Sequence, residues 1–322
     1  MTIHTEAGPA VTAGPAPASV RTRRSREFRT RLELGLLIGP AALVFLAFVI
    51  LPVVLAAYYS LFNWNGLGPL VRFIGFTNYL RALGDPVFQH AIANNFTIVG
   101  LSMLIQGPLA IGIALLLNRK LRGRAVFRAL IFVPYVLAEV IAGLAFKLIL
   151  SPRGGINALL DSIGLGDLAQ PWLANPQIAL GVMFVILTWK YLGFAVLLML
   201  AGLQGVPPEL NEAASIDGAS WWQIQRRITL PLLGPTIRIW AFLSIIGSLQ
   251  LFDMVWVTTK GGPVGATNTM AVYMLLNGQG APGYGSAVAV ILFVISLAIA
   301  LVYQRIALRR DLAGAMTTSG VR

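Results

Sequence analysis

The sequence predicts an all-α, polytopic membrane protein with about six transmembrane helices. Of its 322 residues, 57% are hydrophobic and only 11% are charged, whereas soluble domains carry about 25% charged residues. The mean hydropathy is +0.77, and several apolar runs exceed the roughly 20 residues needed to cross the hydrocarbon core. The lipid bilayer is therefore the expected partner of most of the surface.

The residue inventory excludes several kinds of site. There is no cysteine and there are two histidines, so disulfides, Cys/His zinc sites and Cys/His nucleophile pairs are not expected. A phosphate-binding P-loop requires a lysine followed by Ser or Thr, and no lysine in this sequence is followed by either residue. No cofactor is expected in this chain. The net charge is +12, and most of the basic residues lie beside the apolar runs. This position argues against a nucleic-acid partner.

The N-terminal segment 1–31 is predicted to be a basic, disordered tail. Residues 1–20 are rich in Ala, Pro, Gly and Thr and have no hydrophobic periodicity, so they cannot bury enough apolar surface to fold. Six arginines follow in 21–31. The apolar run after them is longer than the ~7–15 residues of a cleaved signal peptide's core, which predicts an uncleaved first span.

Six segments are predicted to cross the membrane. Several contain proline or glycine, which membrane helices tolerate when neighbours satisfy the freed backbone groups. The transmembrane domain is expected at 32–310, and a C-terminal tail at 311–322. The predicted spans are 34–60, 91–117, 125–150, 177–204, 235–258 and 284–304.

The distribution of positive charge predicts the orientation. Six arginines lie in 21–31, five basic residues in 119–128, three near the fourth connection and four after the last span, whereas the opposite side carries four. Lysine and arginine favour the cytoplasmic side of a membrane. Both termini and the second and fourth connections are therefore predicted to be cytoplasmic.

The fourth connection, 205–235, has the sequence of a small folded unit. Pro208 suits the first turn of a helix, and Glu209 and Glu212 place negative charge where the helix dipole is positive. Gly218 follows as a stop signal. The sequence thus predicts one short helix that ends at a glycine turn.

A second short helix is predicted directly after that turn. Ser220 and Gln223 have the spacing of a capping box, and Pro231 is expected to end the helix near Leu230. Two tryptophans at 221 and 222 leave two interpretations equally open. The helix lies in the headgroup region with Trp as an anchor, or it is a docking element for a soluble partner.

Two stretches carry a resemblance to a known family. Residues 212–219 read Glu-Ala-Ala-Ser-Ile-Asp-Gly-Ala, followed by Ile-x-Leu-Pro at 228–231. This resembles the EAA loop of permease subunits of binding-protein-dependent ABC importers. Thr-Lys-Gly-Gly-Pro at 259–263 resembles the signature before the last span in the carbohydrate-import type, in its larger maltose- or glycerophosphate-type subunit. The resemblance covers roughly 32–310.

The resemblance implies a fold, a function and partners. The fold is the type I ABC importer transmembrane domain, and the chain forms half of the pathway for a sugar or oligosaccharide in a bacterial inner or plasma membrane. The implied partners are a second homologous permease, a cytoplasmic ABC ATPase dimer that binds ATP and Mg²⁺, and an extracellular or periplasmic solute-binding protein. The chain itself is then not an enzyme. The residues implied to couple to the ATPase are Glu212, Ala213, Ala214, Asp217, Gly218, Ile228 and Pro231.

Apart from Arg128 and Arg238, which lie near the cytoplasmic ends of their spans, four charged residues fall inside predicted spans: Glu139, Lys147, Lys190 and Asp253. Each costs about 2.5–3.5 kcal/mol at a helix centre unless it faces a partner or a water-filled cavity. Their depths favour two ion pairs, Glu139 with Lys190 and Lys147 with Asp253. The open alternative is that some of them line the substrate path.

Sugars are bound by hydrogen-bonding groups together with aromatic faces that cover the apolar side of the ring. The fourth and fifth spans contain such residues, and the resemblance places those of the fourth span where the maltose-type subunit binds sugar. Packing between helices remains the competing interpretation. The candidate substrate-binding residues are Trp189, Lys190, Tyr191, Phe194, Gln250, Asp253 and Glu139.

Other functions remain open from the residues alone. The same importer architecture could carry glycerol phosphate, a polyamine or an amino acid, and Lys190 and Lys147 would suit a phosphate. A proton-coupled secondary transporter would use Glu139 and Asp253, but it predicts an internal repeat that is not apparent and leaves the fourth connection unexplained. An intramembrane enzyme would have only carboxylates and lysines to work with.

Overall fold

The computed structural model describes residues 36–119 and 122–319, with side chains up to residue 305. The predicted N-terminal tail and the first residues of the first span lie outside the described residues. The regular secondary structure of the described part is helical, apart from one isolated bridge between Phe62 and Phe73. The all-α prediction is confirmed.

In the described residues, five helices are long and apolar enough to cross a membrane, and a bent helix pair gives a sixth span when its two halves are counted together. Span 2 begins earlier than predicted because Asp85 caps it and Pro86 occupies its first turn. The last helix continues to Ser319, into the segment predicted to be a tail. The spans are Leu36–Tyr59 (span 1), Pro86–Leu117 (span 2), Arg124–Val136 with Glu139–Ile149 (span 3), Ala179–Gln204 (span 4), Gly234–Thr258 (span 5) and Pro282–Arg305 (span 6).

Span 3 differs from the single helix predicted at 125–150. Its two halves meet at an angle of 95°, because Leu137 and Ala138 adopt extended backbone conformations with ψ of 140° and 138°. Pro134 lies in the last turn of the first half, where it removes a backbone donor and weakens the helix. The bend therefore leaves backbone carbonyls available to the charged side chains near it.

Span 5 is also interrupted, at residues 250–252. The side chain of Asn95 in span 2 donates to the carbonyls of Ser248 (2.6 Å) and Leu249 (3.3 Å), and it accepts from the backbone N–H of Met270 at 2.9 Å. Asn95 is completely buried. One amide thus satisfies two carbonyls at the end of the first part of span 5 and the first N–H of the helix at Met270–Gly278, as a membrane interior requires.

Three shorter helices lie in the first, third and fifth connections: Thr77–Gly84, Gly155–Ser162 and Met270–Gly278. The last of these is tied to span 2, since the Tyr273 hydroxyl donates to Asp85 at 2.6 Å and lies 2.7 Å from the Tyr284 hydroxyl. The hydrogen bond from Tyr273 lowers the pKa of Asp85, although partial burial acts in the opposite direction. The charged carboxylate therefore stabilises this arrangement.

Two glycines allow the spans to pack closely around span 4. A Cβ atom on Gly193 would lie 2.2 Å from the carbonyl oxygen of Ile131 in span 3, and one on Gly202 would lie 2.3 Å from the hydroxyl of Thr236 in span 5. Small residues commonly mark such close helix contacts in membranes. Span 4 is thus the central helix against which spans 2, 3 and 5 pack.

Candidate functional site

A cavity of about 300 Å³ lies between spans 2, 3, 4 and 5. Its wall combines aromatic rings with neutral hydrogen-bonding groups. Among the residues that the structure describes, none of those lining it is a lysine, arginine, aspartate or glutamate. The rings belong to Tyr135, Tyr191, Phe194 and Trp240, and the polar side chains to Ser102, Gln106, Ser244 and Ser248.

The aromatic part of the wall is built around Tyr135, at the end of the first half of span 3. Its ring stacks on Phe194, with centroids 5.1 Å apart and an interplanar angle of 21°. Tyr191 meets Tyr135 edge-on at 6.4 Å. These rings form an apolar corner that also carries two hydroxyl groups, a combination suited to ligands with one apolar and one polar face.

The polar part of the wall comes from spans 2 and 5. Ser102 and Gln106 begin and end a π-helical turn in span 2, a local irregularity that occurs frequently at functional sites. Both residues are about 5% exposed. Ser244 and Ser248 lie one turn apart on span 5, so their side chains share a helix face. Together they provide hydroxyl and amide groups that both donate and accept hydrogen bonds.

Lys190 lies beside this cavity and directs its charge into the protein. Its side chain is 2% exposed, and its ammonium donates to the carbonyls of Pro134 at 3.1 Å, Tyr135 at 3.0 Å and Leu137. Lysine has three donors, so all three are used. The ammonium is placed at the C-terminal end of the first half of span 3, where the helix dipole is negative.

The two predicted ion pairs do not form within the described residues. The bend in span 3 provides backbone carbonyls to which Lys190 donates. Glu139 accepts a hydrogen bond from the Tyr191 hydroxyl instead of pairing with Lys190. Lys147 and Asp253 are both exposed. Lys147 lies in the last turn of its helix and Asp253 in the first turn of its own, so each is stabilised by a helix dipole rather than by the other.

The candidate substrate-binding residues divide into two groups. Tyr191 and Phe194 line the cavity. Trp189 is 40% exposed and packs edge-on against Phe146 at 5.0 Å, while Gln250 is exposed and, like Asp253, lies outside the wall. The sequence interpretation missed the contributions of spans 2, 3 and 5. The i, i+4 spacing of Ser102 with Gln106, and of Ser244 with Ser248, places each pair on one helix face, but it does not show what that face meets.

The fourth connection folds as the sequence predicts in its first part. A helix at Pro208–Ile216 is followed by Gly218 with φ of 80°. The capping box is present, with the Ser220 N–H donating to Gln223 Oε1 at 2.7 Å and the Gln223 N–H donating to Ser220 Oγ at 3.4 Å. The two short helices are therefore joined by a defined glycine turn.

The second helix extends further than predicted. It continues from Trp221–Ile224 through a π-helical turn at Gln225–Thr229 and ends at Leu232, one residue beyond Pro231. The wider turn changes the hydrogen-bond register, since the Leu230 N–H bonds to the carbonyl of Gln225. The helix can thus accommodate Pro231, which donates no backbone hydrogen bond.

The surface of the fourth connection is exposed and mixed in character. Ile216 is 87% exposed and Trp222 is 62% exposed. The Arg119 guanidinium lies 4.2 Å from the ring centroid of Trp221, a cation–π contact with the second connection. Of the residues implied to couple, Ala214 and Ile228 are half-buried, and the exposed ones are Glu212, Ala213, Asp217, Gly218 and Pro231.

Comparison with known proteins gives consistent results over most of the chain. Residues 106–311 match the family described as binding-protein-dependent transport system inner membrane component. The trehalose/maltose transport system permease protein MalF of Thermococcus litoralis is 35% identical over 283 residues, which is 87% of this chain and 95% of that protein.

Solved structures share the fold. A bacterial ABC transporter involved in import of the acidic polysaccharide alginate superposes with a TM-score of 0.75 and 26% identity, covering 89% of this chain and 99% of the matched chain. A bacterial alginate ABC transporter in complex with an alginate pentasaccharide-bound periplasmic protein gives a TM-score of 0.74 and 25% identity, covering 88% and 94%.

Proposed function

Because this chain belongs to the binding-protein-dependent transport system inner membrane component family, we propose that it forms half of the pathway through which an ABC importer moves an uncharged sugar or oligosaccharide. It is a permease subunit and not an enzyme, and separate ATPase subunits hydrolyse the ATP. The observation that carries the choice of cargo is the neutral, partly aromatic wall of the cavity.

The cavity has the chemistry that a sugar requires. A pyranose ring has apolar C–H faces and an equatorial rim of hydroxyls, which match stacked rings and neutral hydrogen-bonding side chains. Tyr135 and Phe194 provide the ring faces, while Ser102 and Gln106 provide donors and acceptors. The volume of about 300 Å³ is at the lower end of small-molecule sites. The similarity to a trehalose/maltose permease supports the same class of cargo.

A phosphorylated cargo is disfavoured by the position of the two lysines. Lys190 uses its donors on backbone carbonyls, and Lys147 is exposed and does not line the cavity. An anion in the cavity would therefore be desolvated without a positive partner, which is unfavourable in a medium of low dielectric constant. The fold itself does not impose this choice, since a similar structure belongs to an importer of an acidic polysaccharide.

The remaining subunits follow from the same assignment. A second homologous permease completes the pathway, a cytoplasmic ATPase dimer holds ATP and Mg²⁺, and a solute-binding protein delivers the cargo on the other side. Both termini and the fourth connection face the cytoplasm, consistent with the distribution of lysine and arginine. The exposed short helix at Pro208–Ile216, with Glu212, is the element that meets the ATPase.

Uptake by the reconstituted complex tests the choice of cargo. Neutral mono- and oligosaccharides, sugar phosphates and uronates are compared, with Gln106→Leu as the cavity variant and Gln304→Leu as a matched control on the exposed surface of span 6. We expect uptake of a neutral sugar and a rise in KM of about fivefold for Gln106→Leu, from the loss of about 1 kcal/mol of hydrogen bonding. Preference for a sugar phosphate would contradict the proposal.

A further inference from the structure

The bend in span 3 leaves backbone groups that need partners inside the membrane. Leu137 and Ala138 are extended, so the last carbonyls of the first half cannot all find donors in a following helical turn. No water is present in the hydrocarbon core to replace them, and each unsatisfied group costs several kcal/mol there. Donors from another span can satisfy the backbone groups that this bend of 95° leaves free.

Lys190 and Tyr191, adjacent in span 4, hold the two sides of this bend. The Lys190 ammonium donates to the carbonyls of Pro134, Tyr135 and Leu137, and the Tyr191 hydroxyl donates to Glu139, the first residue of the second half.

The backbones are also in close contact nearby, because a Cβ on Gly193 would lie 2.2 Å from the Ile131 carbonyl oxygen. Span 4 thus fixes the position of the first half of span 3 by a close backbone contact as well as by side chains.

Tyr135 connects this arrangement to the cavity. Its carbonyl is bound by Lys190 at 3.0 Å, and its ring stacks on Phe194 in the cavity wall. We infer that Lys190 is a positioning residue for cargo: it fixes the bend in span 3 and so places the Tyr135 ring where it meets the sugar, without contacting the sugar itself. The inference rests on the proposed function, because it takes the cavity to be the site that receives cargo.

A direct role for Lys190 in binding makes a different prediction, and a double-mutant cycle separates the two. The variants are Lys190→Met, Tyr135→Ala and the double mutant, with Lys147→Met as control because Lys147 is an exposed lysine in the second half of span 3.

If Lys190 acts through Tyr135, each single change raises the transport KM by about tenfold and the double mutant rises no further than Tyr135→Ala alone. Lys147→Met leaves KM unchanged. Multiplicative effects, near a hundredfold in the double mutant, would show that Lys190 does not act through Tyr135 and would overturn the inference.

The conservative variant Lys190→Arg distinguishes a specific loss of hydrogen bonds from a general loss of assembly. It keeps a positive charge and several donors for the carbonyls, so its KM is expected to fall between those of wild type and Lys190→Met. Equal KM values for the Arg and Met variants would contradict a role that depends on donation to the carbonyls.

A second readout does not depend on cargo. The chain has no cysteine, so Ser244→Cys places a single thiol in the cavity wall, and Ser162→Cys places one on the exposed surface of the third connection. We expect Lys190→Met to change the maleimide labelling rate at position 244 by about fivefold or more and to leave position 162 unchanged.

Unchanged labelling at both positions would overturn the inference. Absence of neutral-sugar uptake by the wild-type complex, with labelling altered as expected, would instead refute the proposed cargo.

Discussion

Gly193 offers the most direct test of the packing that fixes the bend in span 3. In Gly193→Ala, the new methyl group would lie 2.2 Å from the Ile131 carbonyl oxygen and 2.9 Å from Cα of Phe132. Ordinary contact begins near 3.4 Å, so the backbones of spans 3 and 4 must separate by roughly 1 Å. Both neighbours are backbone atoms, which cannot rotate away as a side chain can.

The expected cost is that of overpacking, about 1–3 kcal/mol, together with weaker hydrogen bonds from Lys190 to span 3. Gly181→Ala is the matched control, because the same helix has nothing within 4 Å of a Cβ at that position. Thermal unfolding of the purified complex and the transport KM are measured for both. A Gly193→Ala protein as stable as Gly181→Ala, with an unchanged KM, would refute the close contact.

Two further changes test the other buried polar contacts. Asn95→Leu should destabilise the complex by about 1–3 kcal/mol, because the carbonyls of Ser248 and Leu249 lose their donor; thermal unfolding equal to wild type would contradict this. Asp85, whose pKa is lowered chiefly by Tyr273, stabilises the folded state above its unfolded pKa of about 4 and loses this contribution as the pH falls through its folded pKa. The stability difference between wild type and Asp85→Asn should therefore be largest near neutral pH and shrink below about pH 4; a constant difference would contradict the contact.

The sequence alone predicted the features that depend on local composition. Apolar length located the spans, and the capping box of Ser220 with Gln223 located the start of the second short helix. Each of these patterns lies within a single apolar run or a few neighbouring residues, so it could be recognised without knowing which distant residues are in contact. The all-α membrane fold and the paired helices of the fourth connection follow directly from them.

The bend in span 3 depends on residues far apart in the chain. Pro134 alone did not predict it, because membrane helices tolerate proline when a neighbour satisfies the backbone. The neighbour is Lys190, which lies 56 residues from Pro134 along the chain. The similar predicted depths of Lys190 and Glu139 suggested an ion pair between them. Predicted depth does not show where a bend leaves backbone carbonyls without donors. The pairing prediction was wrong for this reason.

The cavity was predicted in part. Tyr191 and Phe194 stood out because they share one helix with other aromatic residues. Ser102 and Gln106 did not, since isolated polar residues in a span give no sign of the cavity they face until spans 2 and 5 are placed together. The wall is a product of tertiary packing, and only the contribution of span 4 was visible in the sequence.

The most direct test of the account is ATP-driven uptake by the complex reconstituted with its partner permease, ATPase and solute-binding protein. Glu212→Ala is compared with Glu209→Ala, an exposed glutamate on the same short helix. We predict that loaded binding protein stimulates vanadate-sensitive ATP hydrolysis, and that Glu212→Ala loses both stimulation and uptake while Glu209→Ala retains them. Uptake that needs no ATPase and follows a proton gradient would contradict the account.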